Sequence, residues 1–370
     1  MQATETALEA QRAIEIFNAC RYCEGYCAVF PAMELQRDFT VTDMAYLANL
    51  CHNCNGCYHA CQFSPPHEFG INLPKTFAEL RLETYAEYAW PRPLARAFER
   101  NGVVVGLVVA AALALVLLLS MLFQSSSVLF SAQTGPGAFY RVIPWGVMAT
   151  VAGVTFSFSI LALLIGAIKF WRDTRSKLSG WINLAALGRA FVDVATLRYL
   201  GGAGEGCNDL DSSFSQTRRK FHHTMFYGFL LCFASTCVAT LMDHFLGWIA
   251  PYSWYSLPVI LGTFGGIGMI VGCGGLIWVK IATDPAPVAR RVLGGDYALL
   301  MLLFMSAWSG LVLMLLRSTP AMGIFLCVHL GFILALFVTL PYGKFVHGIY
   351  RATALLKAAV ERQRNAVVGG

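Results

Sequence analysis

The chain has 370 residues, room for two or three ordinary soluble domains, yet 57% of them are hydrophobic and only 13% charged, against about 25% charged in a soluble domain. Mean hydropathy is +0.59, and the apolar stretches are long runs rather than alternating segments of about ten residues, which excludes disorder, a fully soluble enzyme and a porin-type barrel. Charge divides the chain: residues 1–100 carry twelve acidic and eight basic side chains and the remainder nine acidic and nineteen basic, a basic excess that reads as membrane topology rather than nucleic-acid binding.

Residues 1–100 read as a soluble domain of short helices and loops, closed by Pro91 and Pro93. Residues 1–19 hold Glu5, Glu9 and Glu15 and no apolar core, so no signal peptide is expected there. Seven of the twelve cysteines (Cys20, Cys23, Cys27, Cys51, Cys54, Cys57 and Cys61) fall within 42 residues. An odd number at C-x2-C spacing fits metal thiolates in a reducing compartment better than a disulfide framework. The run Cys51-x2-Cys54-x2-Cys57-x3-Cys61, with Pro65 and Pro66 soon after, is the ferredoxin-type pattern. Three of its thiolates wrap one corner of a cubane, and the fourth serves a second cluster. A zinc site needs only four thiolates, so seven at this spacing point away from zinc.

A second run is degenerate. With Cys27 aligned to the fourth position, Cys23 is third, Cys20 is second, and Phe17 stands where the first cysteine would be. Cross-ligation then predicts a [4Fe–4S] cluster on Cys27, Cys51, Cys54 and Cys57, and a second cluster on Cys20, Cys23 and Cys61. The second is one thiolate short. It is either [3Fe–4S] or [4Fe–4S] with an outside ligand, which Cys207 could supply, although a structural role for Cys207 is preferred. His52, His59 and His67 read as neighbours that tune the clusters.

Six apolar runs follow, at residues 103–123, 143–170, 223–248, 257–281, 297–316 and 322–343, each near the roughly 20 residues a span needs. Glycine is frequent in the fourth, which suits close helix approach in lipid. Between the second and third, residues 171–221 form a long connection. Residues 184–200 are amphipathic enough to lie on the membrane surface or cap the bundle. The stretch GGAGEGC at 201–207 reads as a turn-forming loop, because no Walker or dinucleotide pattern surrounds it. Cys232, Cys237, Cys273 and Cys327 read as small core residues.

Lys and Arg gather on one side. The long connection holds Lys169, Arg172, Arg175, Lys177, Arg189, Arg198, Arg218, Arg219 and Lys220. Arg290 and Arg291 follow in the fourth-to-fifth connection, and Arg351, Lys357, Arg362 and Arg364 in the tail; the opposite loops hold Arg141 and Arg317. This predicts a cytoplasmic-membrane protein with both termini and the cysteine domain inside. The expected division is a cytoplasmic iron–sulfur domain at 1–100, a six-span haem-binding domain at 101–350, and a cytoplasmic tail at 351–370.

Five histidines, His222, His223, His244, His329 and His347, lie in or beside the apolar runs, where an ionisable residue is a functional candidate by default. His329 and His347 are separated by 18 residues, five whole turns of a continuous helix, and so would face one side. Relative to His244, His222 is about 40° out of phase and His223 about 60°, which favours His222. The third and sixth spans run in opposite directions. His222 or His223 is therefore predicted to meet His347 on the cytoplasmic side, and His244 to meet His329 on the far side. Such opposed pairs mount low-spin haem, so one or two b haems are predicted.

The stretches NACRYCEGYCAVFPA, LCHNCNGCYHACQFSPPHEF, RKFHHTMFYGFLLCF and LPYGKFVHGIYR resemble the tricarballylate-utilisation protein B family, also called citrate-utilisation protein B, over nearly the full chain. The PYGKFVH stretch is also similar to the ending of the nitrate reductase gamma subunit, whose matching histidine binds haem; that position is His347 here. The resemblance implies an all-α fold: an alpha-helical ferredoxin-like domain with two clusters, then a six-helix bundle of the nitrate reductase gamma type. It implies a protein that reoxidises the reduced FAD of a partner tricarballylate or citrate dehydrogenase and passes electrons through iron–sulfur clusters and haem b to the quinone pool. No FAD fingerprint, nucleophile elbow or catalytic dyad is present, so no substrate site of the chain's own is expected. A tricarboxylate transporter with a redox-sensing domain would require mid-membrane cations and inverted repeats. A membrane redox sensor would require an output domain. The sequence offers neither.

Overall fold

The computed structural model describes residues 3–23, 25, 27–36, 38–98, 101–174, 183–204 and 206–368. Arg175 and Lys177 of the basic connection, and the last two residues of the expected tail, lie outside the described residues. The regular elements among the described residues are helices, apart from an isolated bridge between Cys207 and Ser215.

The N-terminal domain is built from α1 (Glu5–Cys20), α2 (Val29–Glu34), α3 (Val41–Leu50), α4 (Gly56–His59), α5 (Leu73–Tyr88) and α6 (Arg92–Ala97). Its helix ends are specified locally. Thr4 Oγ1 accepts from Ala7 N at 3.2 Å to start α1, and Arg21 turns left-handed (φ 53°) to stop it at Cys20. Thr40 and Asp43 make a reciprocal capping box on α3. Asn72 caps α5, with proline in its first turn. Helices α1, α3 and α5 bury Ala10, Ile14, Met44, Leu47, Phe77 and Leu80 against one another, a core in which each large side chain contributes roughly 1.5–3 kcal/mol. That core fixes the frame from which the cysteine loops hang.

Then come α7 (Asn101–Phe123), the short α8 (Ser126–Leu129) and α9 (Ala138–Val142), α10 (Trp145–Asp173), α11 (Leu184–Ala195), a 3-10 segment (Arg198–Gly204), α12 (Thr217–Leu246), α13 (Leu257–Ala282), α14 (Arg290–Leu316), α15 (Met322–Thr339) and α16 (Val346–Val368). Six of them, α7, α10, α12, α13, α14 and α15, are long and apolar enough to cross a membrane, so the chain is a multi-pass membrane protein. Two spans begin earlier than hydropathy suggests: α12 starts at Thr217 and α14 at Arg290, each with a charged first turn beyond the apolar run. The glycines of α13 serve contact with α12. A Cβ on Gly228 would stand 2.7 Å from Met269 N, and one on Gly265 would stand 2.8 Å from Cys232 N, so the two backbones touch where only hydrogen fits. Cys273 and Cys327 are buried and Cys232 partly so, whereas Cys237 is exposed on the outer surface of α12 rather than packed in a core.

Helix α15 stops at Thr339, four residues short of the expected run. Pro341 offers no N–H to continue the ladder, and the chain turns through residues 340–345 before α16 begins. Residues 351–368 of the expected cytoplasmic tail continue α16. This helix buries Ala354, Leu355 and Ala358 in the main core, and Leu356, Ala359 and Val360 against Trp171 of α10 and Ala186 and Ala190 of α11. On the other face of α11, Leu184, Leu187 and Phe191 stay exposed, the arrangement of a helix lying at a membrane surface.

Candidate functional site

The loop from α3 into α4 carries Cys51, Cys54 and Cys57. Asn53 and Asn55 adopt φ of 56° and 61°, left-handed positions that asparagine tolerates better than most residues, which lets CHNCNGC curl tightly. Cys27 comes to the same place. Burial raises its thiol well above the ordinary range, and the neighbouring sulfurs of Cys54 and Cys51 add to that. Cys57 rises for the same reasons, with Cys54, Cys51 and Cys27 around it. Cys20, Cys23 and Cys61 form a second group. Cys23 is pushed up to about 12 by burial first, then by Cys61 and Cys20. The two groups adjoin, since Cys23 Sγ lies 3.8 Å from Cys57 O.

The three-cysteine group lines a recess partly open to solvent, with Ala13, Ile16, Phe17 and Ile71 among its apolar walls. Phe17 thus stands at the recess, stacked on Phe30 with ring centres 4.0 Å apart. Gln62 Nε2 is 3.4 Å from Cys20 Sγ. Among the described residues, no three His, Cys, Asp or Glu side chains close on a single-ion position. A cluster with its own sulfides is wider than one ion, so the thiolates that serve it stand further apart.

Cys207 stands beside the four-cysteine group, next to Cys54 rather than Cys20, Cys23 or Cys61. Its thiol has Leu200 O at 2.8 Å and Cys54 within reach, and Asn208 N donates to Cys54 O at 2.9 Å. Hydrogen bonding from Cys207 brings the Cys54 thiol down to about 7 and drives Cys207 itself far up. The segment at 201–207 is therefore a cover over Cys54; its Glu205 lies outside the described residues. His52 is buried with Nδ1 2.8 Å from Leu50 O, and burial, then Arg351, lowers its pKa well below the usual value. His59 instead faces Asp284 at 4.0 Å, and His67 packs on Phe63 and Phe69.

Three arginines hold the Cys51 loop by its carbonyls. Arg81 of α5 donates to Cys51 O at 3.1 Å and to Asn53 Oδ1 at 2.7 Å. Arg218 of α12 donates to Asn53 O at 2.6 Å and His52 O at 3.3 Å. Arg351 of α16 donates to Cys51 O at 2.8 Å. The sequence reading missed all three. Its available signal was spacing: Arg218 precedes His222 by four residues, and Arg351 follows His347 by four.

His222 and His347 stand with ring centres 6.5 Å apart and planes at 82°. A metal–imidazole bond is about 2 Å and a ring centre lies about 1.1 Å behind its nitrogen, so two imidazoles on opposite sides of one metal have centres about 6.3 Å apart. His347 Nδ1 donates to Lys344 O at 2.6 Å, which fixes the tautomer and leaves Nε2 bare, as in metal-ligating histidines. His222 Nδ1 is buried without a partner. Phe229 meets Phe345 at 5.7 Å, and Phe156 bridges Phe233 at 6.0 Å and Phe337 at 5.0 Å. A flat apolar metallocofactor there would be held by His222 and His347, with these aromatic side chains as apolar neighbours. His223 turns aside to Tyr227, 5.9 Å away.

The outer histidines have separate neighbours. His244, in the last turn of α12, packs on Trp145 at 5.3 Å. His329 lies about 10 Å into α15 by helical rise, its Nδ1 3.1 Å from Ser306 O and 3.2 Å from Ser309 Oγ. The two stand at different depths with different neighbours. The continuous-helix phase linking His329 to His347 also fails, because the turn at 340–345 separates them.

Fold and site together define a multi-pass membrane protein with a cysteine-rich domain packed on one end of its helical bundle. Comparison with known families sharpens this. The family description "Citrate utilization protein B" matches residues 96–368, and its Fer4-like domain matches residues 10–87. Citrate utilization protein B of Escherichia coli is 46% identical over 367 residues, covering 99% of this chain and 95% of that protein. No solved structure matches. The chain belongs to the citrate utilization protein B family, and its Fer4-like domain points to electron transfer.

Proposed function

We propose that this chain reoxidises the reduced FAD of a partner dehydrogenase acting on a tricarboxylate of the tricarballylate or citrate type, and delivers the electrons to membrane quinone. Cys20, Cys23 and Cys61 hold the entry cluster in the partly open recess. Cys27, Cys51, Cys54 and Cys57 hold a [4Fe–4S] cluster behind it. His222 and His347 hold one b haem at the end of the bundle nearest that cluster, in a bundle of the nitrate reductase gamma type. These groups supply one-electron chemistry; the chain supplies spacing, tautomer and a dry environment. His223 packs beside Tyr227, and His222 is the partner of His347 in this reading. The membrane is the cytoplasmic one, with the cysteine domain inside, by the distribution of Lys and Arg. The observation that carries this reading is the 6.5 Å separation of the His222 and His347 rings. Stopped-flow reduction tests it. His347→Ala should leave cluster reduction by the flavoprotein intact and stop quinone reduction; quinone reduction at the wild-type rate would refute it.

A further inference from the structure

The two helices that carry the opposed histidines also carry two of the three arginines on the cysteine loop. On α12, Arg218 is one turn from His222; on α16, Arg351 is one turn from His347. Four residues, close to one turn, rise about 6 Å along a single helix face. From separate helices, both guanidiniums converge on the carbonyls of residues 51–53, the backbone that presents Cys51 and Cys54. Arg218 is additionally fixed by Asp209 Oδ1 at 3.1 Å. Arg351 Nε is buried without a partner, so its charge is directed at the loop. A guanidinium is always protonated and its planar fork is pre-organised for such contacts.

We infer that Arg218 and Arg351 are positioning residues that lock the Cys51 loop to the His222 and His347 pair and set the rate of electron transfer between them. The rate part rests on the proposed cluster and haem; the mechanical part does not. Arg81 alone belongs to the cysteine domain and holds the same Cys51 carbonyl without reference to the bundle. With Arg218 and Arg351 removed, Arg81 keeps the loop folded, while its tie to the histidine helices is lost. The loop then moves relative to the pair, and the positive charge that favours an added electron at the four-cysteine site falls.

The test uses full-length protein in detergent carrying Arg218→Gln and Arg351→Gln together. Hydrogen–deuterium exchange of peptides covering residues 50–56 should quicken at least tenfold while α1 is unchanged. Iron and haem content should stay near wild type, and haem reduction after the clusters are reduced should slow at least tenfold. Wild-type exchange in the loop, or wild-type haem reduction, overturns the inference. If the double variant does not accumulate, Arg351→Lys, which keeps the charge and loses the fork, should move both readouts in the same direction; no change there also overturns it. A wild-type protein without haem would defeat the proposed function alone, because the exchange measurement reads the clamp without any cofactor.

Discussion

At the scale of single residues, the sulfurs are the test. Cys54 sits in the four-cysteine group and Cys20 in the three-cysteine group. Cys54→Ser should therefore remove the [4Fe–4S] EPR signal, whereas Cys20→Ser should alter only the other cluster. Equal loss of both signals in both variants would contradict separate ligation. Phe17 gives a sharper version. It lines the recess with Cys20, Cys23 and Cys61, so Phe17→Cys should supply a fourth thiolate and abolish any oxidised-state [3Fe–4S] signal. Zinc without iron on metal analysis would refute the whole assignment. The cysteine motifs were legible because their chemistry is local in sequence. The arginines were not, because their partners are backbone carbonyls, which leave no mark in composition. Only the repeated four-residue offset from a histidine, in RRKFHH and VHGIYR, hinted at them.

At the scale of elements, hydropathy located the six spans but missed where α12 and α14 begin and where α15 ends. A window of apolar residues does not register a helix that runs on past the lipid, as α12 does to Thr217. It also ran α15 through Pro341, although that proline was a readable stop. The misplaced end also put His329 and His347 on one continuous helix face, which the turn at 340–345 breaks. The corrected geometry makes a prediction: His244→Ala should leave the pyridine haemochrome stoichiometry unchanged, and His222→Ala should reduce it. Loss of haem in His244→Ala would restore the outer site. The α12 and α13 contact is equally testable. Gly228→Ala places a methyl 2.7 Å from Met269 N, an overpacking that costs ~1–3 kcal/mol. Its melting temperature in detergent should fall by several degrees, while Gly153→Ala, with open space around it, should be neutral.

At the scale of the whole molecule, the charge count and the packing bear on one question, which side holds the cysteines. Several counted cations have internal duties: Arg218 and Arg351 hold the loop, and Lys357 Nζ donates to Thr174 O at 2.8 Å. Arg290, Arg291, Arg172 and Arg189 remain on that end of the bundle, against Arg141 and Arg317 on the other. Reporter fusions after Gln133 and after Val368 should accordingly read outside and inside. Two outside readings would break the six-span topology. The packing of α16 into the cysteine domain was invisible in sequence, because Ala354 and Ala358 contribute little hydropathy yet close the interface by their small size.

The central claim is that one b haem sits between His222 and His347, next to the clusters. A reduced-minus-oxidised optical spectrum of the purified protein, taken for wild type and for His347→Ala, tests it most directly. The account predicts a low-spin b-type spectrum of one haem per chain in the wild type, lost in His347→Ala with the iron–sulfur EPR signals retained. A wild-type protein with iron–sulfur signals and no haem spectrum, or an unaltered spectrum in His347→Ala, would contradict it.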